Sequence, residues 1–157
     1  MRVSAKARYA VSALAEMAIG FEEVNPPHSL KDIAERQELP MAYMEQIFLK
    51  LRKAGLLKSV RGACGGYVLA RDPQMIRVSD IIFAVDRPMR ATRCDRHMTK
   101  GCMRTGKRCL THDLWEGLED AIHRYFKNTS LFDVIRHKMT VHMPQRDPIV
   151  LAFKEGA

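Results

Sequence analysis

Between Ser29 and Arg71 the sequence runs through helix, break, helix and hairpin in immediate succession, an order that few folds accept. Ser29-Leu30-Lys31-Asp32 has the form of a capping box and predicts a short helix with Leu30, Ile33 and Ala34 turned inward. Leu39-Pro40 breaks it. Over residues 41–54, Met44, Ile47, Phe48 and Leu51 recur at i, i+3, i+4 and i+7, the stripe of an amphipathic helix, with Gly55 as the expected stop. Leu56–Arg61 and Tyr67–Arg71 read as short strands around the glycine-rich turn Gly62-Ala63-Cys64-Gly65-Gly66. A hairpin directly behind the second helix of a helix-turn-helix is the wing of a winged helix.

The flanks extend this core. Residues 5–20 predict a first helix with Ala10, Leu14, Met17 and Ala18 on one face, closed by the break at 21–28 with Pro26 and Pro27. The segment starts basic and turns apolar, as a signal peptide does, but Arg8, Ser12 and Glu16 interrupt it, and no run approaches the roughly 20 residues of a membrane span. Ser79 is the expected cap of a short helix over Asp80–Val85. Residues 110–127 predict a long helix with Leu114, Leu118, Ala121, Ile122, Tyr125 and Phe126 on one broad face. Ser130 and Asp133 form a second capping box for a last helix over 131–138. The expected fold is mainly α with a small β wing. A winged helix-turn-helix domain covers 1–86, a ligand-binding loop 87–112, a dimerisation helix and short C-terminal helix 113–138, and a loose tail 139–157.

Residues 87–108 carry eight basic side chains and one acidic one, and almost no apolar residue. Such a stretch needs a template to fold, and it holds one. Cys94, Cys102, Cys109 and His112 place three thiols and an imidazole within 19 residues, enough to fill one metal or cluster site. Surrounding positive charge favours the ligating thiolate form, and a chain without an export signal is expected in the reducing cytoplasm, where clustered thiols bind metal more often than they pair. Spacing alone leaves two occupants open: zinc in a CCCH site, or an iron–sulfur cluster with one imidazole ligand.

A net charge of +8 points to a polyanionic partner, most simply double-stranded DNA. The second helix would enter the major groove with Ala42, Tyr43, Glu45 and Gln46, which point away from its apolar stripe. Gln pairs with adenine and Glu accepts from the cytosine amino group; as a solvated residue, Glu45 would instead pair with a nearby Lys or Arg. Lys50, Arg52, Lys53, Lys58 and Arg61 suit phosphates, and the wing tip, Arg61 with Gly62, Gly65 and Gly66, suits a narrow minor groove. No nucleophile–base pair or phosphate-cradling loop suggests an enzyme or a small-molecule substrate. An RNA-binding role for the basic loop is weakened by its lack of aromatic residues.

The stretches ARYAVSAL (7–14), SLKDIAERQELPMAYMEQIFLKLRKAGLLKSVRGACGGYVLAR (29–71) and CLTHDLW (109–115) resemble the IscR type of iron–sulfur regulator, within the winged-helix repressors that include the NsrR and RirA types. The resemblance covers residues 1 to about 138. It implies a cytoplasmic homodimer on palindromic operators, with the long helix crossing its partner through Leu114, Leu118, Ile122, Tyr125 and Phe126. It implies a 2Fe–2S cluster on Cys94, Cys102, Cys109 and His112, controlling iron–sulfur biogenesis and iron or oxidative-stress genes. A DNA-binding regulator with structural zinc is the alternative.

The chain also departs from its relatives. The gaps between its cysteines, seven and six residues, are longer than in the best-known members. Arg8 stands where NsrR-type proteins carry Asp, and Ala63-Cys64 where relatives often have Pro-Gly. Cys64 reads as a small filler, and His97 as a possible substitute ligand.

Overall fold

Alanines decide how the first helix packs. In a computed structural model, which describes residues 3–19, 21, 26–62, 65–86, 102–103 and 105–137, α1 (Ala5–Ala18) begins where Ser4 Oγ accepts the Ala7 N–H at 3.1 Å. It buries Ala7, Ala10, Ala13, Leu14, Met17 and Ala18. Short side chains let neighbours approach its backbone closely, and α1 becomes the shared partner of three of the later helices. The helix expected to reach residue 20 stops at Ala18, and Ile19 turns out to solvent at 67% exposure.

The helix-turn-helix forms as its pattern requires. In α2 (Leu30–Arg36), Ser29 Oγ accepts the Asp32 N–H at 3.5 Å, one half of the expected capping box, and Leu30, Ile33 and Ala34 are buried. In α3 (Met41–Lys53), Met44, Ile47, Phe48 and Leu51 are each at most 1% exposed. Full burial of such side chains contributes about 1.5–3 kcal/mol apiece. Gly55 follows at φ +70°, the left-handed turn that ends the helix. The wing is β1 (Leu57–Val60) antiparallel to β2 (Gly66–Leu69), with Leu57 opposite Leu69 and Val60 opposite Gly66.

A one-residue bridge extends this sheet. The His28 N–H donates to the Tyr67 carbonyl at 2.8 Å and its carbonyl accepts from the Tyr67 N–H at 2.9 Å. A Cβ on Gly66 would collide with the His28 carbonyl, and one on Gly65 would lie 2.6 Å from the Val60 oxygen. Both glycines are therefore demanded by close backbone approach. Burial, reinforced by Arg36, holds the His28 imidazole below its ordinary pKa. It stays neutral near the Arg36–Glu16 ion pair that joins α2 to α1.

After a 3₁₀ turn at Pro73–Met75, α4 (Val78–Val85) buries Val78, Ser79, Ile81, Ile82 and Val85. Its cap is not Ser79, which lies inside the first turn at 6% exposure. The Asp80 carboxylate instead accepts the Arg77 N–H at 3.3 Å, because the helix starts two residues earlier than its apolar run suggests. The long helix α5 (His112–Asn128) packs on α4, and α6 (Leu131–Ile135) returns to α1. Among the described residues no helix is long and apolar enough to cross a membrane.

The predicted box at α6 is complete. Ser130 Oγ accepts the Asp133 N–H at 3.1 Å, and Asp133 Oδ2 accepts the Ser130 N–H at 2.9 Å and its hydroxyl at 2.6 Å. These bonds to Ser130, side chain first and backbone second, hold the Asp133 carboxyl below its ordinary value of 3.8. A group depressed in the fold stabilises above its unfolded pKa and loses that contribution as pH falls through its folded pKa. Ser130→Ala should therefore lower the unfolding free energy by about 1 kcal/mol near neutral pH. The difference from the parent should shrink below pH 3.8. Urea unfolding at a series of pH values checks this, and identical midpoints at neutral pH would rule out the cap in solution.

Candidate functional site

A tight turn brings the second half of the cysteine segment together. The Met103 N–H donates to the Lys107 carbonyl at 3.0 Å and the Gly106 N–H to the Met103 carbonyl at 2.9 Å. Gly106 takes φ +77°, which a side chain would strain. The turn folds Cys102 back onto Cys109, whose backbone N–H donates to Cys102 Sγ at 2.9 Å. One turn on, the His112 N–H donates to the Cys109 carbonyl at 3.1 Å and opens α5. His112 Nδ1 then lies 3.7 Å from Cys102 Sγ.

Cys102 Sγ, Cys109 Sγ and a ring nitrogen of His112 all fall within 4.8 Å of one another. Cys102 is exposed, Cys109 half-buried and His112 8% exposed, so the group is open on the thiol side and closed behind the imidazole. Two soft thiols and a borderline imidazole suit zinc or iron–sulfur ligation and not the hard cations. Cys94, the fourth expected ligand, lies outside the described residues, as do His97 and Cys64.

A neighbour that the sequence reading missed stands behind the histidine. Glu116 Oε2 is 3.9 Å from His112 Nε2, on the side away from the thiols. At that distance the carboxylate is a close neighbour of the ring and does not accept a hydrogen bond from it; a carboxylate that closes on a ligating imidazole fixes its orientation. The signal was present as an i,i+4 spacing from His112, which stacks two residues on one helix face.

On α3, Ala42, Glu45, Gln46 and Lys53 are exposed, opposite the buried stripe. No ion pair among the described residues takes up Glu45. Tyr43 is half-buried and meets the Tyr9 ring edge-on at 6.1 Å, with the Arg8 guanidinium 6.0 Å from the Tyr9 centroid. Lys58, Arg61 and Gly62 are exposed on the wing, and Gly65 and Gly66 are partly covered. Lys50 differs from its neighbours: its ammonium donates to the Val85 carbonyl at 2.9 Å.

On α5, Leu114 is 64% and Leu118 38% exposed, while Ile122, Tyr125 and Phe126 are half-buried. The helix buries only His112 and Glu119 among the described residues, so the apolar stripe read from the sequence is largely uncovered within one chain.

A family model described as Rrf2, iron-dependent transcriptional regulator, matches residues 3–137. Among curated proteins, the HTH-type transcriptional regulator IscR of Photorhabdus laumondii is 42% identical over 146 residues, covering 93% of this chain and 86% of its own. That of Vibrio campbellii is 40% identical over 156 residues, covering 99% and 90%. Among solved structures, IscR of T. potens superposes with a TM-score of 0.69 at 37% identity, covering 92% of this chain and 93% of its own. CymR, the global cysteine regulator of B. subtilis, superposes with 0.71 at 32% identity, covering 87% and 98%.

If Glu116 supports His112 as a ligand, Glu116→Ala should weaken metal affinity by about 10–100-fold without loss of fold. Competition titration of the reduced protein with Co²⁺ against a chromophoric chelator measures this. Parent-like affinity would leave Glu116 as a surface carboxylate.

Proposed function

The chain belongs to the Rrf2 family of transcriptional regulators, and on that premise we propose an IscR-type, DNA-binding homodimer. Its operator binding follows the state of an iron–sulfur centre on Cys94, Cys102, Cys109 and His112. The observation that carries this reading is the convergence of Cys102, Cys109 and His112 at the start of α5, in a chain whose recognition face is open. The donors fit the group: an exposed thiol, a half-buried thiol and a buried imidazole lie within 4.8 Å of one another. A bound 2Fe–2S cluster supplies a one-electron couple, tuned upward by an imidazole in place of a thiolate.

The chain's own residues do the rest. Gln46 offers a donor and an acceptor to adenine, and Glu45 accepts from a cytosine amino group and repels bases without one. Lys53, Lys58 and Arg61 neutralise phosphates, which adds affinity without sequence choice, and Arg61 with Gly62 reaches the narrow groove beside the wing. Leu114, Leu118, Ile122, Tyr125 and Phe126 meet their counterparts in a second copy. Two-fold pairing sets two recognition helices about 34–36 Å apart, which requires a palindromic operator. Control of iron–sulfur biogenesis and of iron and oxidative-stress genes is the role this design serves.

Protein purified without oxygen should be red-brown, with visible charge-transfer bands and equal iron and sulfide. Colourless protein with one zinc per chain, and no cluster after reconstitution, would replace sensing with a structural metal. Independently, Leu118→Glu should yield a monomer in sedimentation equilibrium. Its operator affinity should fall about 100-fold or more, the usual scale of lost bivalency. A dimeric Leu118→Glu protein would move the interface elsewhere.

A further inference from the structure

The cysteine segment and the recognition helix are separate elements, and a regulator of this kind needs a path between them. Among the described residues, α3 and α5 each pack on α4. Ile81, Ile82 and Val85 of α4 are buried in the core that Ile47, Phe48 and Leu51 of α3 share. Toward α5, Phe83 of α4 lies against His123, ring centroids 5.8 Å apart. The C-terminal end of α4 runs directly into the cysteine segment: the Asp86 N–H donates to the Ile82 carbonyl at 2.9 Å, and residue 87 follows.

Helix ends leave carbonyls without an intrahelical partner, and a cation there is favoured by both hydrogen bonding and the helix dipole. The Val85 carbonyl meets such a cation from outside its own helix: Lys50 Nζ donates to it at 2.9 Å across 35 residues of sequence. By sequence Lys50 is one more base on a basic helix. In the fold Lys50 is exposed like Gln46 and Lys53, but its ammonium is engaged by a backbone carbonyl in the last turn before the cysteine segment.

We propose that Lys50 is the positioning residue that carries the state of the cysteine segment to the recognition helix, by tying α3 to the C-terminal carbonyl of α4. This rests on the cluster-sensing reading above. A centre bound to the segment constrains the chain that leaves Val85. Lys50 makes the recognition helix share that constraint. Its role is to set where Ala42, Glu45 and Gln46 sit relative to the partner's copy, and not to bind a phosphate.

The test compares the parent, Lys50→Met, Lys50→Arg and Lys53→Met as full-length proteins, each cluster-loaded and cluster-free. Operator affinity is measured across a salt series. The parent ratio of loaded to cluster-free affinity should be of ordinary allosteric size, about 5–150-fold. In Lys50→Met it should fall below about twofold, with the salt slope of the cluster-free protein unchanged. Lys50→Arg, which keeps a donor, should restore most of the ratio. Lys53→Met should keep the ratio and lower the salt slope by about one, as loss of a phosphate contact does. Amide exchange at Asp86 in the cluster-free protein should quicken in Lys50→Met and not in Lys53→Met.

A Lys50→Met protein that keeps the parent ratio, or weakens both forms equally with a shallower salt slope, overturns this inference alone. A parent that binds operator equally in both forms overturns the sensing reading and this inference with it.

Discussion

Two backbone hydrogen bonds, from the Val78 N–H to the Thr129 carbonyl at 3.0 Å and from the Leu131 N–H to the Ile76 carbonyl at 2.8 Å, return the chain to the core that it leaves at Val85. Leu131, fully buried, completes the join, and the Ser130–Asp133 box holds its geometry. The cysteine segment is thereby part of a closed loop anchored at both ends. Closure costs entropy that grows only slowly with length, so a long basic excursion is tolerated. The 17 residues of α5 span about 25 Å, secured where Thr129 meets Val78 and along the side where Phe83 meets His123. His112 sits at the opposite end from that anchor, next to Cys102 and Cys109.

What was legible in the sequence was local and periodic. The stripes of α1 and α3, the stop at Gly55 and the box at Ser130 depend on neighbours within a turn or two, and the structure forms each of them. The start of α4 was misread because a serine ahead of an apolar run looks like a cap. The Asp80 carboxylate reaches further back and moves the start to Val78. The bridge between His28 and Tyr67 joins residues far apart in sequence and left no periodic trace. Gly65 and Gly66 were noticed as a wing, but their reason, contact with the Val60 and His28 carbonyls, is tertiary.

The site was legible in kind more than in arrangement. Cysteine and histidine spacing marked Cys102, Cys109 and His112, and the turn at Gly106 brings them together. Which imidazole nitrogen faces the thiols follows from where α5 begins, and Glu116 then lies behind the ring. The face of α5 shows the reverse situation. Its apolar period was plain, yet within one chain Leu114 and Leu118 remain open. Period predicts that a face will be buried, and only packing tells whether the partner is the same chain.

Lys50 shows why a basic recognition helix cannot be read as a uniform cation. Phosphate contacts add affinity to every DNA sequence alike, so a signal acting through charge alone would scale specific and non-specific binding together. A regulator needs the specific term to change. Moving an operator from nearly empty to nearly full takes about 5.5 kcal/mol of differential binding. Two half-sites read in register supply a term of that kind, because a small shift of α3 against the dimer axis spoils both at once. On the proposal above, a lysine that joins α3 to the end of α4 would act on that register. Lys53, exposed on the same helix, would on that proposal act on affinity alone.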